Sequence, residues 1–245
     1  MKKILELKNI SYSYFGQIKA LDKISLDVHE GELLCIMGQN GSGKTTLLHI
    51  MNGLIIPDSG GVFFKGKEIN EKSLRNPAFN YEFRQSSAYV FQNPDIQLFC
   101  NNVFEDLLFA PLQLGVSQEE AEKRVTEIMS FIEIEHLKYR PILSLSGGEK
   151  KKVAIASALI LNPDLILFDE PLSGLDPKTQ NKIINLLKEL HNSGKTIVFT
   201  THNIDLIKYL QPRIAIISHN HTIIKIEETE SIINDKDFLS SINII

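Results

Sequence analysis

Eight residues, GQNGSGKT from Gly38 to Thr45, follow the apolar run LLCIM and fill every fixed position of the pattern G-x-x-x-x-G-K-[ST]. The flanks matter as much as the loop. ELLCIMG lacks the alternation of a half-wet strand and suits one buried on both faces, while TTLLHIMNGL leads out as a helix. Glycines at these positions let consecutive backbone N–H groups turn inward around an anion, and the helix N-terminus adds its positive end. Gly38, Asn40, Gly41, Ser42, Gly43, Lys44, Thr45 and Thr46 are therefore the candidate phosphate-binding residues. Lys44 is expected across terminal phosphates and the Thr45 hydroxyl on Mg²⁺.

A second group of chemical residues lies far downstream. LILFDEP carries Asp169 and Glu170 out of the end of an apolar strand. Asp169 is placed to hold magnesium through water, and Glu170 to polarise an attacking water as general base. Between the two groups stands LSGGEKKK, Leu145 to Lys152, a Ser-Gly-Gly turn running into a lysine-bearing helix with no strand in front of it. Ser146 and the N–H groups of Gly147 and Gly148 make a helix start that suits an anion.

The organisation around these motifs is α/β. The first thirty residues alternate, with Ile24, Leu26 and Val28 on one face, and predict antiparallel strands with one wet side. A helix end, a Pro/Gly turn and a strand follow within HIMNGLIIPDSGGVFFKGKEI, then a polar connection and the strand SAYVFQ. From Asn93 to about Leu161 helical periodicity replaces strands, and SQEEAEKRVTEIMSFI opens with Ser117 three residues before Glu120, a capping-box pattern. DLILFDE and KTIVFTTH restore strands, separated by an amphipathic stretch around Ile183, Ile184, Leu186, Leu187 and Leu190. RIAIIS and TIIKIE make a final pair. The expected layout is one domain over 1–245, with a catalytic lobe at about 1–92 and 162–227, a helical lobe at about 93–161 and a short tail at 228–245.

Composition removes several alternatives. A chain of 245 residues with 43% hydrophobic and 23% charged residues is neither disordered nor fibrous. A net charge of −4, with both signs scattered, gives no nucleic-acid surface. Cys35 and Cys100 stand in no metal-type spacing and predict free thiols in a reducing cytoplasm. The longest apolar runs meet charge well before the roughly 20 residues of a spanning helix. Glu6, Lys8 and Asn9 interrupt the place of a signal peptide's apolar segment. These features predict a protein inside the cell whose membrane connection comes through a partner.

With all motifs in order, the chain resembles the nucleotide-binding subunit of an ATP-binding-cassette (ABC) transporter over nearly its whole length. The order runs GQNGSGKT, Gln92 in VFQNP, LSGGE, LILFDEP, the SGLD of Ser173 to Asp176, and His202 in TTHN. The resemblance implies a P-loop NTPase fold with a mixed central sheet, an N-terminal antiparallel β-subdomain and an inserted helical subdomain. It implies ATP and Mg²⁺ as ligands, with Thr45, Gln92 and Asp169 toward the metal. Gln92 would touch metal and attacking water, His202 would bond the γ-phosphate and orient Glu170, and Asp176 would communicate between subunits. The family places an aromatic ring on adenine, and of Tyr12, Tyr14 and Phe15 the choice is Tyr14, nearest the turn at Gly16; an aromatic strand packed on the core is the competing reading. The LSGG loop would bind the γ-phosphate of ATP held by a second cassette, identical or paralogous. One position departs from the family: the usual glutamine is Glu149, and Lys150 and Lys151 are expected to screen it with activity retained, a solvated helix face being the alternative for both lysines.

The segment FQNPDIQLF with EDLLFAP, and the helix KKVAIA, resemble ATPases of energy-coupling-factor and cobalt/nickel uptake systems. Gln97, Leu98 and Phe99 are expected near integral membrane subunits, with core filling by Leu98 and Phe99 as the competing reading. The expected location is the cytoplasmic face of the cell membrane. The ending soon after SIINDKDFLSSINII favours divalent-metal uptake over vitamin uptake. A soluble ABC ATPase on ribosomes or DNA, and an exporter subunit, are the rivals. His219 and His221 read as a polar hairpin turn, not a metal site.

Overall fold

The computed structural model describes residues 2–241; the last four residues of the expected tail lie outside them. The chain opens with β1 (Lys3–Tyr14), β2 (Ile18–His29), β3 (Leu33–Gly38) and α1 (Lys44–Met51). Next come β4 (Ser59–Phe64), β5 (Lys67–Glu68), α2 (Glu71–Arg75), α3 (Pro77–Ser86) and β6 (Ser87–Val90). The longer helices α4 (Val103–Gln113), α5 (Gln118–Ile132) and α6 (Gly147–Leu159) follow. The chain continues through β7 (Leu165–Phe168), α7 (Pro177–Asn192), β8 (Thr196–Thr200), α8 (Ile204–Leu210), β9 (Arg213–Ile217), β10 (Ile223–Glu228), α9 (Thr229–Ile233) and α10 (Lys236–Ser241).

Two sheets result. The first runs β2-β1-β4-β5 and is antiparallel throughout. The second runs β10-β9-β3-β8-β7-β6, parallel from β9 to β6 with β10 antiparallel at its edge. The continuous apolar runs are central because side chains alternate between two cores. Leu33, Cys35 and Met37 of β3 face one core with Ile166, Phe168, Ile197 and Phe199; Leu34 and Ile36 face the other with Leu165, Leu167 and Val198. The first core continues into α4, α5 and α6, and the second lies between the two sheets around α1. Between β6 and β7 the described residues form helices and turns but no strand.

Parallel strands put their carboxyl ends on one edge of a sheet, where open α/β folds bind ligands. β3 thus delivers the 38–45 loop, β6 delivers Gln92, β7 delivers Asp169 and Glu170, and β8 delivers His202, all to that edge.

The stretch expected to be a polar connection before SAYVFQ is instead two helices. Asn76 caps α3 by accepting from Phe79 N at 3.1 Å, and Pro77 takes its first position. Phe79 and Phe83, one turn apart, stack at 5.9 Å between centroids, and Phe83 meets Phe64 edge-on at 5.0 Å. The polar residues between them hid a two-residue apolar stripe. Ser117 does cap α5, accepting from Glu120 N, but the Glu120 carboxylate turns to Arg124 at 2.9 Å.

Candidate nucleotide-binding site

The loop after β3 is held in its turn by its own contacts. Lys44, 8% exposed, donates to Gly38 O at 2.8 Å and to Gln39 O at 2.9 Å. Burial pushes this ammonium below its usual range, with Glu170 and then Asp169 opposing. Gly43 has φ of 106°, and a Cβ there would sit 2.2 Å from Ala20 O, so the loop is pressed against β2. Gly41, with φ of 79°, has open space where its side chain would be.

Tyr14, Asn40, Gly41, Gly43, Lys44, Thr45, Thr46, Gln92, Asp169, Glu170 and His202 line one cavity of about 430 Å³. Gly38 packs away from it against Ile217 O. Ser42 also turns inward: its hydroxyl is buried without a partner, and its backbone N–H donates to Gln39 O. The Tyr14 hydroxyl lies 3.0 Å from Thr46 Oγ1, and its ring meets Tyr12 edge-on, so Tyr14 stands at the rim of the cavity.

The two motif halves already touch. Thr45 Oγ1 donates to Asp169 Oδ2 at 2.8 Å, Thr200 Oγ1 donates to Asp169 Oδ1 at 2.7 Å, and the Tyr89 hydroxyl donates to Oδ2 at 3.3 Å. Thr200 also accepts from the Glu170 N–H at 2.9 Å, fixing Glu170 in a left-handed conformation at φ of 44°. Thr200 and Tyr89 were missed in the sequence. The only signal for Thr200 was a hydroxyl at a buried position of VFTTH, and Tyr89 looked like core.

His202 Nε2 lies 2.9 Å from Glu170 Oε1, yet is not aligned for a hydrogen bond, which leaves that buried oxygen without a donor. Burial raises the Glu170 carboxyl above its ordinary range, partly offset by His202 and Lys44. A half-buried carboxylate with an enclosed, free acceptor oxygen and raised basicity suits a general base. Gln92 is exposed, with its amide 3.4 Å from Ser173 Oγ.

The remaining predicted residues lie elsewhere. Ser146, Gly147, Gly148, Glu149 and Asp176 line a separate cavity of about 360 Å³ that shares no residue with the first. Ser146 caps α6 in a reciprocal capping box with Glu149. Asp176 caps α7, accepting from Lys178 N, Thr179 N and the Thr179 hydroxyl. The expected screening of Glu149 by Lys150 and Lys151 is not found. Arg140 is its cationic neighbour at 3.3 Å, whereas Lys150 pairs with Asp95 at 2.6 Å. Lys151 is 1% exposed and donates to Phe91 O and Gln92 O, so it is no solvated face. Burial pushes its ammonium down to about 8, against Asp169 and Glu170.

The profile of the ABC transporter family matches residues 21–173. The chain belongs to the ABC transporter family. As an ABC ATP-binding subunit it is an ATPase of the kind coupled to transport. It is 47% identical over 245 residues to a putative ABC transporter ATP-binding protein of Caldanaerobacter subterraneus, covering the whole of both chains. It is 39% identical to the energy-coupling factor transporter ATP-binding protein EcfA of Methanococcus maripaludis, over 98% of this chain and 85% of that one. Among solved structures it resembles cbiO1 of Clostridium perfringens, part of the ABC transporter complex cbiONQ. There the TM-score is 0.82 and the identity 33%, over 99% of this chain and 95% of that one. A dimeric post-hydrolysis cassette, MJ0796, bound to ADP and Pi, matches with TM-score 0.82 and 33% identity, over 92% and 98%.

The open face at Gly41 leaves room in the first cavity for phosphate oxygens. For Mg²⁺ the converging donors are the Thr45 hydroxyl and the Asp169 carboxylate, hard oxygen ligands of the type this ion takes. Among the described residues no helix is long and apolar enough to cross a membrane.

Two docking residues need correction. Leu98 is buried in the core, and Gln97 spends its amide on Phe91 N, Ala154 O and Ser157 Oγ. Phe99 faces outward, 65% exposed, edge-on to the exposed ring of Phe109.

Proposed function

We propose that this chain is the ATP-hydrolysing subunit of an energy-coupling-factor-type importer, driving uptake of a divalent metal such as cobalt or nickel. The likeness to cbiO1 over 99% of the chain carries this reading, supported by the EcfA relatives and the FQNPDIQLF segment. The subunit works at the cytoplasmic face of the membrane, with the exposed Phe99 and Phe109 toward the integral membrane subunits.

In this reading Lys44 exchanges the carbonyls of Gly38 and Gln39 for phosphate oxygens. Thr45, Asp169 and Gln92 would hold Mg²⁺, which when bound would neutralise charge developing on the phosphates. Tyr14 carries the adenine, Glu170 takes the proton of the attacking water, and His202 orients Glu170. The signature residues Ser146, Gly147 and Gly148, with Asp176 beside them, lie in a cavity of their own. A second cassette therefore closes head to tail, each copy offering its signature loop to the other's γ-phosphate. ATP favours the closed dimer only because both faces contact that phosphate, and hydrolysis removes the difference.

Affinity purification of the tagged chain from membranes tests the assignment, with uptake of labelled cobalt, nickel and vitamins measured in cells lacking it. Recovery with integral membrane proteins and loss of metal uptake is expected. Loss of vitamin uptake alone would move the cargo, and recovery with ribosomes and no membrane protein would contradict transport.

A further inference from the structure

Helix α6 grips the segment that leads to Gln92 through a buried charge. Lys151 Nζ donates to Phe91 O at 2.9 Å and to Gln92 O at 3.2 Å. The Phe91 peptide is held from its other side too, because its N–H donates to Gln97 Oε1 at 3.2 Å. Gln97 in turn donates to Ala154 O at 2.7 Å and Ser157 Oγ at 2.9 Å, both on α6. A third tie, Lys150 to Asp95, is solvated and adds little.

A lysine at 1% exposure is costly unless its donors are used. Here it spends them on consecutive main-chain carbonyls at the exit of β6, as charge-assisted bonds that also fix geometry. The same helix begins at Ser146, five residues before Lys151, and about 7.5 Å of helix is stiff over that length. The signature end of α6 and the Gln92 loop therefore form one body.

We propose that Lys151 is a positioning residue that couples the signature loop to this chain's own ATP site, so that engagement of the partner's nucleotide at Ser146 sets the position of Gln92. The proposal rests on the reading of Gln92 and of the head-to-tail dimer given above. Displacement of α6 by a partner's γ-phosphate moves the carbonyls of Phe91 and Gln92 with it. Each chain's ATP site then turns over only when that chain's own signature loop holds the partner's nucleotide.

Steady-state ATPase rates against ATP concentration, on the full chain, test this with Lys151→Met, Lys151→Arg, Gln92→Ala and the double variant Lys151→Met/Gln92→Ala. Lys151→Met is expected to lower kcat about tenfold with KM nearly unchanged, and to flatten the cooperativity in ATP. Lys151→Arg restores most of kcat because the buried cation and its donors remain. The double variant is no slower than Gln92→Ala alone, since both act through one group. If Lys151→Met does not purify as a folded chain, Lys151→Gln carries the same comparison. Parent-like kcat and cooperativity in Lys151→Met or Lys151→Gln, beside an impaired Gln92→Ala, overturns the proposal. An undiminished rate in Gln92→Ala overturns the site reading beneath it.

Discussion

Glu149 closes its carboxylate on Ser146, accepting from the Ser146 backbone N–H at 2.7 Å and from its hydroxyl at 2.8 Å. These bonds, the backbone one first, hold the Glu149 carboxyl below its usual range. The charge that looked awkward beside a phosphate is a capping group that keeps the signature serine ordered. Glu149→Gln can keep an acceptor oxygen on Ser146, but it loses the charge and the oxygen that accepts from Arg140. Its ATPase rate is expected within about tenfold of the parent, or 1.4 kcal/mol. A larger change would mean that Glu149 itself acts on the partner's nucleotide.

Glu170 titrates above its ordinary value of 4.5 because it is buried, with His202 and then Lys44 pulling it down. The proposed base acts when deprotonated, so turnover is expected to fall as pH drops through this raised value. A carboxyl-detected NMR titration of the nucleotide-free chain is expected to place Glu170 above 4.5. In His202→Gln the value rises further, because the largest opposing influence is gone. A Glu170 value at or below 4.5 would remove the argument for its basicity.

Two glycines of the phosphate loop separate strain from collision. Gly41→Ala meets open space and costs only its unfavourable φ, about 1–3 kcal/mol. Gly43→Ala carries a similar φ penalty and drives a methyl to 2.2 Å from Ala20 O, a main-chain atom of β2 that cannot swing aside. Urea unfolding should show Gly43→Ala clearly less stable than Gly41→Ala. Equal stabilities would mean that the loop is not pressed on β2.

The motifs made the catalytic edge legible because each is a local device: a loop ahead of a helix, carboxylates at a strand end, a capped helix start. What stayed hidden depended on partners distant in sequence. Thr200 reads as a strand residue until Asp169 and the Glu170 N–H meet its hydroxyl. Lys151 sits in a run of three lysines that looks solvated, and only the fold shows it buried against Phe91 and Gln92. Leu98 stood open between a surface contact and core filling, and Gln97 read as a contact, because a motif does not reveal which way its residues turn. In α3 two phenylalanines among polar residues gave too short a stripe to announce a helix.

In the proposed mechanism one chain holds two half-sites and ATP joins two chains. Analytical ultracentrifugation of Glu170→Gln with ATP and Mg²⁺ tests it most directly, alongside its ATPase rate. ATP binding, accumulation of a dimer that is absent without nucleotide, and loss of turnover are expected. A variant that stays monomeric with ATP bound, or that hydrolyses ATP at the parent rate, would contradict it.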